Sequence, residues 1–416
     1  MLDYDVIVAG GGSAGMAAAV SAARAGARTL LVEQSDVLGG QAPIALVHSI
    51  CGLYRLADDG PPQFASAGFA QEFATRLIAA GGAHGPVKMG RVWVLLTDPS
   101  ALAALASEIA RETPGLEVRL QTSVVAVAGH ELTLRGPGVL PGEHRPEAWV
   151  TGRGLVDATG DGALAALLGA AFEQEPSERL QRPAFIVALS GVASARFDDE
   201  SRLRLARRIV TAVQEGVLPS GALGATLRAT APLAGVFLTI DLSAGPAYDP
   251  TQSECVAALN TEGRALAEAL VSFLRTEVEG FENCAISLFP GRIGIRESRR
   301  IAGQYRLEGV DLERGASFDD AVALATWPME LRETNRGPRL RYPSDGRPCE
   351  IPLRALRFRD HPHCFMAGRC ISSSHEAQAS LRVIGTCLAT GEAAGRAAAS
   401  LCGGTPQIRA STLPSS

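Results

Sequence analysis

The stretch from Asp5 to Glu33 limits what this chain can fold into more than any other part of it. Gly10, Gly12 and Gly15 form G-x-G-x-x-G between a short apolar run at residues 4–9 and an alanine-rich run at 16–25, and a second apolar run follows at 29–33. Short apolar runs bounded by glycine predict buried parallel strands, and the alanine-rich run predicts a helix closed by Gly26. Each fingerprint glycine has its own mechanical role. The first makes a tight turn, the second admits a pyrophosphate, and the third lets helix pack on strand. The helix N-terminus then offers unpaired N–H groups to negative charge, with Ser13 and Ala14 as backbone donors. Glu33 follows at about 20 residues, where a carboxylate accepts a hydrogen bond from a ribose hydroxyl. A glycine triplet alone would read equally well as a flexible loop. With strand, helix and acid in register it predicts a Rossmann-type dinucleotide site.

A chain of 416 residues should divide into about two domains. Residues 41–62, with their Pro, Gly and Asp punctuation, read as a loop, and helices are predicted at 68–80 and 100–112. Strands are expected at 118–121 and 124–127, then hairpin strands over 130–149 leading into 154–158. Between 172 and 342, strands at 184–189, 236–242 and 284–289 stand among long helices at 199–214 and 252–276, a pattern for an antiparallel sheet with helices on one side. Residues 363–401 return to strand, glycine and alanine-rich helix. The predicted fold class is therefore α/β: a Rossmann-like nucleotide domain, parallel sheet plus β-meander, with a second α+β domain for the substrate. Its boundaries are 1–168 and 345–404 for the two parts of the nucleotide domain, 169–344 for the substrate domain and 405–416 for a tail.

The net charge of −5 gives no electrostatic reason to bind nucleic acid or an anionic membrane, so small-molecule ligands are expected. Eight cysteines without CxxC spacing predict neither a zinc site nor a disulfide framework, so no metal is expected and a reducing cytoplasm fits. A strand that begins within five residues of Met1 leaves no room for a signal peptide, and apolar runs such as 15–23 fall short of the roughly 20 residues that span a bilayer.

The fingerprint does not choose between NAD and FAD. Gly39 and Gly40, a glycine pair shortly after Glu33, resemble the two-dinucleotide-binding-domain flavoproteins, which carry such a pair along the FAD. Residues 155–162, LVDATGDG, are similar to the strand end at which that superfamily returns to its cofactor, and residues 366–372, MAGRCIS, with Ile384-Gly385-Thr386, resemble its C-terminal FAD contact. The runs GRIGIRESRRIAG at 291–303 and 368–395 resemble the FAD-dependent oxidoreductase family in detail. The resemblance implies a bound FAD. Its adenine end would lie along Gly10, Gly12, Ser13, Ala14 and Gly15, with Glu33, Gln34 and Val124. Further contacts would come from Gly39, Gly40 and Gln41, from Ala158, Thr159, Gly160 and Asp161, and from Gly368, Arg369, Gly385 and Thr386. It also implies a helix starting near Gly385 that aims its N-terminus at the flavin edge that becomes anionic on reduction.

Candidates for the substrate side each have a plain alternative. Arg296, Arg299 and Arg300 form a cationic run that would clamp a substrate carboxylate or phosphate, or else make structural ion pairs; Arg296 is the one expected to reach the substrate. His375 is an acid/base near the flavin, or a residue in the first turn of a helix capped by serines. His48 is a general base or a solvated loop histidine, and Cys51 is expected to be a buried hydrophobe. A single cysteine after the glycine pair does not suit a dithiol reductase. The expected activity is an oxidase or dehydrogenase that takes a hydride from a small organic substrate and passes electrons to oxygen or a carrier. The alternative is a monooxygenase using NAD(P)H, or action on a protein or peptide substrate. No second glycine fingerprint with a following acid occurs in the middle of the chain.

Overall fold

The computed structural model describes residues 2–56, 60–137, 148–192, 199–230, 235–334 and 337–403. The expected tail at 405–416 and part of the 130–149 hairpin lie outside the described residues. A 7-stranded sheet forms the centre. Its parallel strands are Leu116–Arg119, Thr29–Val32, Leu2–Ala9, the long Ala148–Asp157 and Cys364–Met366. Residues along the inner part of one strand alternate between two cores: Val6 and Val8 join the core on one face, Ile7 and Ala9 that on the other. Both faces are covered along the inner runs at residues 6–9, 29–32 and 364–366, which carry no charged residue, while the charged residues Asp3, Asp5, Glu117, Arg119 and Arg153 fall in the outer parts of the strands. The N-terminal half of Ala148–Asp157 pairs antiparallel with Glu131–Arg135, which pairs with Ser123–Ala128, and this is the β-meander expected from the sequence.

Helix Ser13–Arg24 and helix Ile384–Ser400 pack backbone to backbone. A Cβ at Gly391 would lie 2.1 Å from the Ala14 carbonyl oxygen and one at Gly395 2.1 Å from that of Ala18, so only glycine permits this approach. Both helices are alanine-rich and buried on nearly every side, which is why neither has a polar stripe.

The second region is a four-stranded antiparallel sheet in the order Ala225–Ala229, Val236–Asp241, Ala184–Ser190, Ala285–Leu288. The period of two along each strand divides its side chains. Phe185, Val187, Leu227, Leu238 and Ile240 pack beneath helix Ser253–Glu277 and Ile209 of helix Asp199–Gln214. Ala184, Ile186, Thr226, Arg228, Thr239 and Asp241 point the other way, into a cavity.

The segment expected to be a loop at 41–62 differs. It contains a short helix, Gln41–Ala45, and a strand, Ser49–Ile50, that joins Ala83–Met89 and Val92–Thr97 in a three-stranded antiparallel sheet. The Gly85-Pro86 pair and Gly90 read as turn signals in the sequence, and they hide a hairpin whose second strand, VWVLLT, has strong strand character. Among the described residues no helix is long and apolar enough to cross a membrane.

Candidate active site

A cavity of about 1230 Å³ runs from Glu33 past the glycine turn to the start of helix Ile384–Ser400. Pockets for single small ligands commonly hold about 300–1,000 Å³, so this one has room for an extended cofactor and a substrate together. Its nucleotide end is lined by Gly10, Gly12, Ser13 and Ala14, by Glu33, Gln34 and Val124, and by Gly40 and Gln41. Ala158, Thr159, Gly160 and Asp161 line it further along, with Gly368 and Arg369 opposite. Gly15, Gly39, Gly385 and Thr386, expected at the cofactor, are not part of the lining. Gly15 is the packing glycine, since a Cβ there would lie 1.7 Å from the Gly10 carbonyl oxygen. Gly39 donates its N–H to the Gly11 carbonyl at 2.9 Å, and Gly385 donates to the Cys51 carbonyl at 2.9 Å, where a Cβ would lie 2.5 Å from the Gly52–Leu53 peptide.

These residues fit an FAD. No side chain caps helix Ser13–Arg24 and its first turn holds no acid, so its leading N–H groups meet the cavity without protein partners. A Cβ at Gly12 would have nothing nearer than the Gly40 α-carbon at 3.8 Å, so Gly12 borders open space reserved for a ligand. Glu33 accepts from Gly11 N–H at 2.5 Å and from Ser35 N–H and Oγ at 2.7 Å, which fixes its carboxylate and leaves lone pairs for a ribose. Buried Asp157 holds the return strand end by accepting from Thr159 N–H (3.0 Å), Thr159 Oγ1 (2.7 Å) and Ala165 N–H (2.9 Å). Arg369 ties the C-terminal segment to that turn, with Nη2 on Asp161 at 2.6 Å and Nε on the Gly160 carbonyl at 3.0 Å.

At the far end the three candidates from the sequence separate. His48 lines the cavity, stacked on Phe237 with ring centroids 4.2 Å apart, and its Nδ1 lies 3.1 Å from the Leu46 carbonyl. A carbonyl only accepts, so this contact assigns the proton to Nδ1 and the lone pair to Nε2. Burial, with Arg228 nearby, pushes the His48 pKa down to about 4, and the ring is neutral at physiological pH. Cys51 lines the same end, and burial pushes its thiol up to about 12, which keeps it protonated and inert.

Arg296 reaches the cavity wall but commits its fork to protein: Nη2 pairs with Asp241 at 2.7 Å and Nη1 donates to the Arg182 carbonyl at 2.5 Å. The clamp expected of it is thus replaced by an ion pair. His375 departs further from expectation, for it does not line the cavity. It is 2% exposed, with Nδ1 2.9 Å from both Glu297 oxygens and Nε2 3.2 Å from Glu333. Burial opposes its charged form, but the hydrogen bond and charge of Glu297 outweigh it and hold the pKa above the ordinary value. Arg300 belongs to the same buried network, pairing with Glu297 at 2.5 Å and Glu175 at 2.9 Å. Arg292, from the same run, is the one that sequence reasoning missed. It lines the cavity, its Nε is buried without a hydrogen-bond partner, and Asp161 and Glu33 act on its charge. Its place two residues before Gly294 resembled the others, and only the contacts distinguish it.

The family described as FAD dependent oxidoreductase matches this sequence over residues 5–407. No curated protein matches it. Among solved structures, a flavin-dependent brominase mutant superposes with a TM-score of 0.51 at 14% identity, covering 98% of this chain and 82% of that one. A p-nitrophenol 4-monooxygenase from Pseudomonas putida gives 0.45 at 12% identity over 98% and 83%. A flavoprotein/dehydrogenase from Cytophaga hutchinsonii gives 0.46 at 12% over 97% and 79%. Identities this low speak for the fold and not for a shared substrate.

Proposed function

The chain belongs to the FAD dependent oxidoreductase family, and from that premise we propose that it is an oxidase or dehydrogenase acting on a small organic substrate at the His48 end of the cavity. FAD, when bound, supplies the acceptor for a hydride from the substrate carbon. The observation that carries the reading is His48: on the cavity lining, neutral, and held by the Leu46 carbonyl through Nδ1, which leaves Nε2 as its unprotonated nitrogen. Helix Ile384–Ser400 begins at the same place, with Val383 and Ile384 on the lining, and its N-terminus favours negative charge there. Phe237 and the Leu46 contact fix the ring plane, so His48 can take a hydroxyl or amine proton without reorienting.

Anaerobic mixing of the purified yellow protein with organic substrates, and separately with NAD(P)H, tests the reading. Bleaching of the flavin by an organic compound alone is expected, and His48→Gln should keep its FAD while slowing that bleaching by roughly 10²–10⁴-fold. Rapid bleaching by NAD(P)H, with none by any organic compound, would overturn it in favour of a monooxygenase.

A further inference from the structure

The wall around His48 carries more cationic than anionic charge, and the surplus can be assigned to individual residues. Its carboxylates are Asp241 and Glu330. Asp241 accepts from Arg296 and from Arg332, each at 2.7 Å; Glu330 accepts from Arg332 Nε at 2.7 Å and from Trp327 Nε1 at 2.9 Å. Every carboxylate oxygen is therefore engaged, and Arg296 and Arg332 are the only arginines used. Arg228 and Arg382, also on the lining, remain. Arg228 makes no side-chain hydrogen bond or ion pair among the described residues. Arg382 has only long contacts, from Nη2 to Gln181 Oε1 at 3.3 Å and to the Glu330 carbonyl at 3.4 Å, and its Nε is buried without a partner. Arg228 stands opposite Phe237, on which His48 stacks, and Arg382 reaches the backbone of Glu330 on the same wall; both charges also oppose the rise that burial gives the Cys51 thiol. Burial likewise pulls Arg382 itself down to about 10. Uncompensated guanidinium groups in a recess are costly to keep, and an anionic ligand removes that cost.

We propose that Arg228 and Arg382 form the anion subsite for a substrate carboxylate, and that the enzyme oxidises the carbon next to it, as in a 2-hydroxy or 2-amino acid. The planar fork of arginine matches a carboxylate, and Trp327, Met89 and Val94 on the lining accept an apolar remainder. With FAD bound as hydride acceptor, the C–H bond on the carbon next to the carboxylate would break with its electron pair leaving as hydride, the O–H or N–H proton would pass to His48, and a C=O or C=N bond would form. The oxidation step rests on the oxidase or dehydrogenase reading; the anion subsite does not.

The holoprotein is titrated with acetate and with benzoate at fixed ionic strength, with benzamide as the uncharged control, and followed by the change in flavin absorption and by calorimetry. Saturable binding of at least one carboxylate, no comparable binding of benzamide, and at least tenfold weaker carboxylate binding in Arg228→Gln are expected. Arg228 has no side-chain partner to lose among the described residues, so that variant should keep the wild-type FAD content and melting temperature. No binding of either anion, or equal binding in Arg228→Gln, would overturn the subsite. Arg228-dependent anion binding without bleaching by any carboxylate leaves the subsite standing and removes the oxidase or dehydrogenase reading. Bleaching by uncharged substrates, indifferent to Arg228, does the reverse.

Discussion

At the nucleotide end of the cavity the chain works with its backbone, whereas at the His48 end it works with side chains gathered from widely spaced segments. The backbone end is built locally. A turn, an uncapped helix end and one acid lie within residues 10–33, and their spacing is fixed by the geometry of strand and helix. The side-chain end has no local spacing: His48, Arg228, Asp241, Glu330, Arg332 and Arg382 meet only because one face of an antiparallel sheet is laid over that end of the cavity. The backbone end therefore tolerates no side chain where the cofactor passes, while the side-chain end can be retuned one residue at a time.

The largest expected effect tests the backbone end. Gly12→Val should abolish FAD retention yet leave the apoprotein folded, because its neighbours leave open space there, whereas Gly15→Val should damage the fold itself through the Gly10 carbonyl. FAD content and circular-dichroism melts of both variants separate the two roles; a yellow Gly12→Val protein would break the comparison. Arg296→Ala comes next. It strips one partner from buried Asp241, so a stability loss of about 3 kcal/mol is expected, with FAD content retained. Denaturant melts read the loss, and a wild-type melt with a collapse in kcat/KM would return Arg296 to the clamp role. Glu33→Ala should lower FAD affinity by roughly tenfold to a hundredfold without shifting the flavin spectrum, because a charge-assisted hydrogen bond contributes about 1.5–3 kcal/mol. Flavin release at equilibrium measures it.

The smallest effect concerns the two buried histidines, which should respond to pH in opposite directions. The folded pKa of His48 lies at about 4, below its ordinary 6.5, so the unfolded chain takes up a proton first and stability falls as pH drops from 6.5 toward 4. At pH ~5.5 the loss relative to neutral pH is about 1 kcal/mol, and His48→Gln should remove that slope from denaturant melts. The His375 pKa is raised, so its contribution is present below the ordinary value and is lost as pH rises through the folded one. Melts of His375→Gln that converge on the wild type at high pH and diverge at low pH would show this. Parallel slopes for the two variants would contradict the assignments.

How much could be read beforehand follows the same division. The fingerprint, the meander and the strand at 184–189 were legible because strand and turn signals are written locally, though an all-apolar run does not say which of its residues face the cavity. So was the helix serine cap at Ser374, whose side chain accepts from Ala377 N–H. The role of His375 was not, because the partner that decides it, Glu297, lies 78 residues away in sequence. Likewise nothing in the run GRIGIRESRRIAG says that Arg296 meets Asp241 while Arg292 keeps a buried Nε without a hydrogen-bond partner among the described residues. A partial signal did exist for the cavity face: Thr226 with Arg228, and Thr239 with Asp241, are polar at every second position of otherwise apolar strands.

The close crossing of helix Ser13–Arg24 with helix Ile384–Ser400 also makes the glycine turn depend on a segment far away in sequence. The alanine face of the first helix is covered where Gly391 and Gly395 let the second lie on its backbone. A truncation at residue 380 should therefore keep every fingerprint residue and still lose flavin retention, because the turn has lost its support.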